Sequence, residues 1–295
     1  MTNKTNQKII IPVIVGPTAS GKSAAAIDLA KTCDGVIINC DAMQSYDALH
    51  VLTAQPSKAD YNTCPHELYG HLHPSTYYNA AQWRNDAIAT IEASLKNNQT
   101  PIICGGTGFY LKALMDGLSP MPETPSHIRD EVIALHNEMG HEAFFKMLQD
   151  KDPETAQGLD PHNTQRSMRA WEVLVFTGKP LSQWQKEPLI GPPIEWVFDV
   201  KPIIPERDVI HNNIRNRLDI MIDQGILDEV RALDQLIQNG DVPDNGLIIK
   251  AHGFRPFRRY LNGEWTLDQA KTQTEIETRQ YAKRQVTWIK HQILK

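Results

Sequence analysis

A run of apolar, mostly β-branched residues, Ile9-Ile-Ile-Pro-Val-Ile-Val15, leads directly into Gly16-Pro17-Thr18-Ala19-Ser20-Gly21-Lys22-Ser23 and then into the helix-forming Ala24-Ala-Ala-Ile-Asp-Leu-Ala30. No other segment narrows the fold as much. From average composition, the spacing Gly-x4-Gly-Lys-Ser arises by chance in about one chain in 100 of this length, and far less often between a strand and a helix. Its physics is specific. The glycines let successive backbone N–H groups point at one oxyanion, and the helix adds the positive end of its dipole. Lys22 supplies a mobile charge, and Ser23 an oxygen for Mg²⁺. A phosphate or diphosphate group is expected at residues 16–23. The loop alone leaves open whether that group belongs to a nucleoside triphosphate.

The pattern then repeats. Gly35 punctuates the helix, and Val36-Ile-Ile-Asn-Cys40 reads as a second strand that delivers Asp41 at its carboxyl end. Tyr78-Asn79 opens a helix with apolar residues at Trp83, Ala87, Ile91 and Leu95, and Pro101-Ile-Ile-Cys104 forms a third strand running into Gly105-Gly106-Thr107-Gly108 and a short helix at 109–115. Alternating strands and helices predict an α/β fold, a P-loop NTPase-like, mostly parallel sheet with helices on both faces. Ligands in such sheets sit beyond the carboxyl ends of the strands.

From about Thr124 the texture becomes helical, at 128–139, 143–148 and 164–176, until the proline-rich stretch 188–193 returns the chain to a strand at Trp196-Val-Phe-Asp-Val200. The expected organisation is a core over 1–123, a helical insertion domain over 124–193, and the rest of the core with basic carboxyl-terminal helices over 194–295. A long apolar stripe (Val209, Ile214, Leu218, Ile222, Ile226, Val230, Leu233, Ile237) predicts one long helical region, followed by helices at 254–261 and 266–294.

Composition excludes several classes. No apolar run reaches the ~18–20 residues of a membrane span, and residues 1–11 lack an apolar leader core, so a cytoplasmic protein is expected. Cys33, Cys40, Cys64 and Cys104 form no Cys-x-x-Cys pair, which argues against zinc or a disulfide framework and for reduced, half-buried thiols. His71 and His73 have no ligand-spaced carboxylates nearby and read as surface or packing residues. A net charge of −5 argues against nucleic acid on its face, yet residues 245–295 hold ten basic residues against four acidic ones. A terminal segment of +6 on an acidic body is a clue to a polyanion.

Among the chemical candidates, Asp41 has three readings: a Mg²⁺ ligand, an acceptor for a nucleophile's proton, or a turn cap. Gly105 to Gly108 is either a tight turn or a close-approach loop whose Thr107 hydroxyl donates to developing charge. Gln165, Arg166 and Arg169 open a helix in the insert, and Arg166 and Arg169 share a face. Arg215 and Arg217 lie among apolar neighbours, where either can snorkel.

Seven segments occur in fixed order: residues 16–23, Asp41-Ala-Met-Gln44, Leu52-Thr-Ala-Gln-Pro56, Tyr78-Asn-Ala-Ala-Gln-Trp-Arg-Asn-Asp-Ala87, Gly105-Gly-Thr-Gly-Phe-Tyr-Leu-Lys-Ala-Leu114, Gln165-Arg-Ser-Met-Arg-Ala170 and Thr278-Arg-Gln-Tyr-Ala-Lys-Arg-Gln-Val-Thr-Trp288. Over nearly its whole length the chain resembles the bacterial tRNA dimethylallyltransferases, also called tRNA adenosine isopentenyltransferases. The resemblance implies that Gly16, Pro17, Thr18, Ala19, Ser20, Gly21, Lys22 and Ser23 hold the diphosphate of dimethylallyl diphosphate, with Mg²⁺ at Ser23. The acceptor it implies is N6 of the adenosine 3′ to the tRNA anticodon, flipped into a channel. Asp41 then matches the carboxylate that takes the N6 proton, and Thr107 and Arg217 match residues that contact the leaving diphosphate. Asp41, Ala42, Met43, Gln44, Thr107, Arg129, Gln165, Arg166, Arg169, Lys283 and Arg284 match contacts to the tRNA anticodon arm. A monomer without membrane contact is implied.

The chain departs from the family pattern at Ala42, at Ser45, at Gln55, where a basic contact is missing, and at His252, which replaces an apolar residue. Two other classes remain as alternatives: a small-molecule or nucleoside kinase of the P-loop class, and a non-catalytic RNA-binding protein.

Overall fold

The computed structural model describes residues 8–294. Residues 1–7 and Lys295, and with them part of the segment read as lacking a leader and the last of the ten basic residues, lie outside the described residues. The chain divides into two compact units, Met1–Met115 with Pro192–Lys295, and Asp116–Gly191.

The first unit is built on a parallel sheet of β1 (Ile9–Val15), β2 (Gly35–Cys40), β3 (His66–Glu67), β4 (Thr100–Gly105) and β5 (Trp196–Pro202), in the order β3-β2-β4-β1-β5. Every residue of β2 is buried, as expected for a strand covered on both faces. Strand periodicity sorts the side chains. Ile14, Ile37, Ile102 and Cys104 pack on Ala26 and Ala30 of α1 (Lys22–Thr32), while α3 (Ala80–Lys96) buries Trp83, Ala87 and Ile91 against β2 and β4. Trp83 also donates its indole N–H to the Asn39 carbonyl at 2.9 Å. A capping box at Asn79 starts α3, its side chain accepting from Ala81 and Gln82 while Gln82 reaches back. The short α2 (Lys58–Thr63) and α4 (Gly108–Met115) complete the first half.

After β5 the chain forms α10 (Arg207–Asp223), α11 (Ile226–Gln238), α12 (Phe254–Leu261) and α13 (Leu267–Gln292). The apolar stripe expected as one long helical region is thus two helices. Gly225, in the left-handed region at φ +96°, breaks it. Within the stripe Val209 is exposed, and Met221 is buried instead.

The second unit holds α5 (Ser126–Met139), α6 (His141–Lys151), α7 (Pro153–Gln157), α8 (Thr164–Thr177) and α9 (Leu181–Trp184) around Val132, Phe144, Leu148 and Val173. Its ends fall at 116 and 191 rather than the 124 and 193 read from composition. The two connecting segments pair with each other through an antiparallel bridge between Leu118 and Ile190. None of the described helices is long and apolar enough to cross a membrane. The cysteines are free, but Cys40, Cys64 and Cys104 are buried rather than half-buried, and only Cys33 is intermediate.

Candidate active site

Register aligns the site. Val15 and Cys40 both pair with Gly105, so the loops after β1, β2 and β4 leave the sheet at one level. Gly105 has no space for a side chain, because a Cβ would lie 2.1 Å from the Cys40 carbonyl oxygen. Gly16 is similarly confined by the Ile203 carbonyl at 2.4 Å, and Gly21, at φ +88°, caps α1.

The phosphate loop is held from below and from the side. On α10, Asn213 and Arg217 lie one turn apart on one face. Asn213 donates to the Ala19 carbonyl at 3.0 Å, and Arg217 to the Thr18 hydroxyl at 2.7 Å. Arg217 is therefore a site residue, while Arg215 is exposed and faces Glu275 at 3.7 Å. Lys22 donates to the Pro17 carbonyl at 3.3 Å. Burial lowers the pKa of both cations, with Asp41 opposing the shift in each. Among the described residues neither cation makes an ion pair, so two poorly solvated positive charges face the cleft. Such charges favour an anion between them.

Asp41 is fixed by its neighbours. Asn39, fully buried, accepts the Asp41 N–H at 2.8 Å and donates to the carbonyls of Asp41 at 3.0 Å and Leu68 at 2.9 Å. Oδ1 of Asp41 accepts from Met43 N–H at 3.0 Å, starting the short 3-10 turn Met43–Ser45. The capping reading thus describes one oxygen of a carboxylate that also lines the cleft. Thr107 donates its N–H to the Cys40 carbonyl at 3.1 Å, and its hydroxyl accepts from Ala42 N–H at 3.0 Å. Gln44 turns its amide inward to the carbonyls of Thr53 and Ala54 at 2.8 and 2.9 Å.

The result is a cleft of about 380 Å³ bounded by residues 18–23, Asp41, Gln44, Thr53, Ala54, Asn213, Asn216, Arg217 and Ile220. Thr107 stands one residue behind this lining, bonded through Ala42. Burial raises the Cys40 thiol well above its usual value and the Cys104 thiol to about 11, which keeps both neutral. Among the described residues no group of three or more His, Cys, Asp or Glu is placed to hold a metal. Of the side chains lining the cleft, Thr18, Ser20, Ser23, Gln44, Thr53, Asn213 and Asn216 offer neutral oxygens and Asp41 the one carboxylate, and the phosphate-loop pattern assigns the cation to Ser23. Mg²⁺ commonly takes one or two protein oxygens, keeps several waters and shares the substrate's phosphates, so this assignment fits it.

The remaining candidates are dispersed. Arg129, Gln165, Arg166 and Arg169 belong to the second unit. Gln165 and Arg166 are exposed, whereas Arg169, three residues further along α8, donates to Thr124 at 2.8 Å and to the buried Glu172 at 3.0 Å, its side chain 38% exposed. In the first unit Lys283 and Arg284 are exposed on α13. Beside them a second cleft of about 230 Å³ is lined by Lys250, His252, Arg255, Glu277 and Arg284 among others. The departure at His252 places an imidazole 4.8 Å from the Tyr281 ring and 3.9 Å from Glu277. His71 and His73 are packing and loop residues outside any strand. His71 meets Tyr78 edge-on, and His73 bonds Ser75 at 2.7 Å. Sequence reasoning missed Asn39, Asn213 and Gln285, uncharged residues; Asn39 acts on Asp41, two residues on, while the partners of Asn213 and Gln285 lie far away in the chain.

The sequence model of the IPP transferase family matches residues 44–292. The tRNA dimethylallyltransferase of Paramagnetospirillum magneticum is 44% identical over 282 residues, 96% of this chain and 88% of that protein. The tRNA dimethylallyltransferase of Azorhizobium caulinodans is 41% identical over 97% of this chain and 90% of its own length. Among solved structures, a eukaryotic dimethylallyltransferase acting on tRNA superposes with a TM-score of 0.80 at 26% identity, covering 95% of this chain and 69% of that one. The full-length tRNA isopentenylpyrophosphate transferase of Bacillus halodurans gives 0.67 at 28% identity, covering 97% and 88%.

Proposed function

The chain belongs to the IPP transferase family, and from that premise we propose that it transfers a dimethylallyl group from dimethylallyl diphosphate to N6 of the adenosine 3′ to the anticodon of tRNA, releasing diphosphate. The observation that carries this reading is one cleft in which a carboxylate, Asp41, shares walls with a phosphate loop and two partly buried cations.

The chemistry needs help at both ends. The adenine amine is a weak nucleophile because its lone pair is delocalised into the ring. As N6 bonds to the prenyl C1, the C1–O bond breaks and the electron pair leaves with the diphosphate. Lys22, Arg217 and the N–H groups of Gly21, Lys22 and Ser23 at the start of α1 stabilise that charge, and Thr107 adds a hydroxyl. Asp41 accepts the N6 proton through the oxygen not committed to Met43. Ser23 would hold Mg²⁺ with the diphosphate; the ion would supply charge neutralisation on the leaving group. Holding amine and C1 together also removes the entropy of encounter. Unstacking the adenosine costs a few kcal/mol, less in a loop than in a duplex.

Phosphate contacts from Arg129, Gln165, Arg166 and Arg169 in the second unit, and from Lys283 and Arg284 in the first, position the anticodon arm without reading its sequence. The reading implies a cytoplasmic monomer. Mass analysis of tRNA after incubation with the protein, dimethylallyl diphosphate and Mg²⁺ tests it. A gain of one prenyl group on one adenosine is the expected outcome. Unmodified tRNA together with nucleotide turnover in the absence of tRNA would instead assign a kinase.

A further inference from the structure

Gln285 lies on α13, near the carboxyl end of the chain, yet its side chain is 5% exposed and reaches the heart of the site. Its Oε1 accepts the Thr18 N–H at 2.8 Å, and its Nε2 donates to the Gly106 carbonyl at 2.9 Å. One amide therefore bridges the phosphate loop after β1 and the glycine loop after β4. Two glycines make room for this approach. A Cβ on Gly106 would lie 2.4 Å from Nε2 of Gln285, and one on Gly108 would lie 2.1 Å from the Trp288 ring. Thr18 is held twice, by Gln285 on its N–H and by Arg217 on its hydroxyl. The Thr18 N–H is thus spent on shaping the loop. Lys283 and Arg284, the exposed cations of α13, immediately precede Gln285.

We propose that Gln285 is a positioning residue for diphosphate, clamping the phosphate loop to the Gly106 loop from α13, so that a polyanion held by Lys283 and Arg284 alters the affinity of the loop for diphosphate. This proposal rests on the reading of residues 16–23 as a diphosphate site and of α13 as an RNA contact. The physical basis is satisfaction of buried polar groups. Only a side chain with one acceptor and one donor at amide spacing serves both Thr18 N–H and Gly106 C=O, and leaving either one unpaired in a buried place is costly.

Inorganic pyrophosphate with Mg²⁺ is the probe, titrated calorimetrically into the full chain with and without an anticodon stem-loop RNA. Gln285→Leu, similar in volume and without polar atoms, is expected to weaken pyrophosphate binding at least about tenfold. It should raise KM for the prenyl diphosphate while changing kcat and RNA affinity little, and abolish the effect of RNA on pyrophosphate affinity. Gln285→Glu supplies a test inside one folded protein. Its carboxylate cannot donate to Gly106, but once protonated it presents one donor and one acceptor like the amide. The ratio of its pyrophosphate affinity to the wild type's therefore rises as pH falls. Wild-type pyrophosphate affinity in Gln285→Leu, or a pH-independent ratio in Gln285→Glu, would overturn the assignment. A wild-type protein that binds no pyrophosphate would overturn the diphosphate site itself, a different failure.

Discussion

Asp41 divides its two carboxylate oxygens between structure and chemistry. Oδ1 holds the Met43 N–H at 3.0 Å, and the proposed reaction uses the other. Asp41→Ala therefore removes the proton acceptor, and prenyl transfer should fall by more than about 100-fold while RNA binding changes little. Single-turnover transfer of labelled prenyl group, set beside a filter-binding isotherm, measures both; transfer at the wild-type rate would remove Asp41 from the proton path. Lys22 gives a second residue-scale expectation. Burial holds its pKa below the ordinary lysine value, and a bound diphosphate favours the protonated form. Diphosphate affinity should weaken as pH rises through that lowered pKa, and binding in that range should take up protons. Calorimetry in buffers of different ionisation enthalpy reads the proton uptake, which should vanish in Lys22→Met.

Among the elements, β4 shows why a glycine can matter more than a charged side chain. Gly105→Ala drives a methyl group to 2.1 Å from the Cys40 carbonyl at the point where three strand ends are level. A loss of about 2 kcal/mol or more in urea-unfolding stability is expected. Gly158→Ala, whose nearest contact is 3.6 Å away, should leave stability nearly unchanged. Strands β1, β2 and β4 and the loops after them were legible in the sequence because each announces itself locally, through a short apolar run ending in glycine or aspartate. The break between α10 and α11 was not, because the apolar spacing continues across Gly225 and only its positive φ interrupts the helix. Arg217 was identified by resemblance, but Asn213, one turn before it, carries no local mark. Gln285 stands inside a segment conspicuous for Lys283 and Arg284, and its role depends on partners at Thr18 and Gly106 that no spacing within α13 reveals.

For the whole molecule, a net charge of −5 with a +6 terminal segment sets how RNA can be held. Few phosphates can be neutralised, so the logarithm of affinity should fall gently with the logarithm of salt concentration. Removing one contact, in Arg166→Ala or Lys283→Ala, should reduce the slope by about 0.9; an unchanged slope excludes that residue from the phosphate contacts. Arg169 is engaged with Glu172 and Thr124, so Arg169→Ala combines any loss of RNA contact with an uncompensated Glu172, and its thermal stability should fall where that of Arg166→Ala does not.

The strand order also imposes a schedule on synthesis. β1 emerges first but stands between β4 and β5, so the strand that carries the phosphate loop waits for Gly105 on one side and for Pro202 on the other, with the helical second unit made in between. Pairings so distant along the chain form slowly. The last constraint on the loop, Gln285 on α13, follows all five strands along the chain. A chain halted after Pro202 but before Gln285 holds all five strands of the sheet beneath a phosphate loop not yet clamped. Assembly of the sheet and readiness of the site are therefore separate events, in that order.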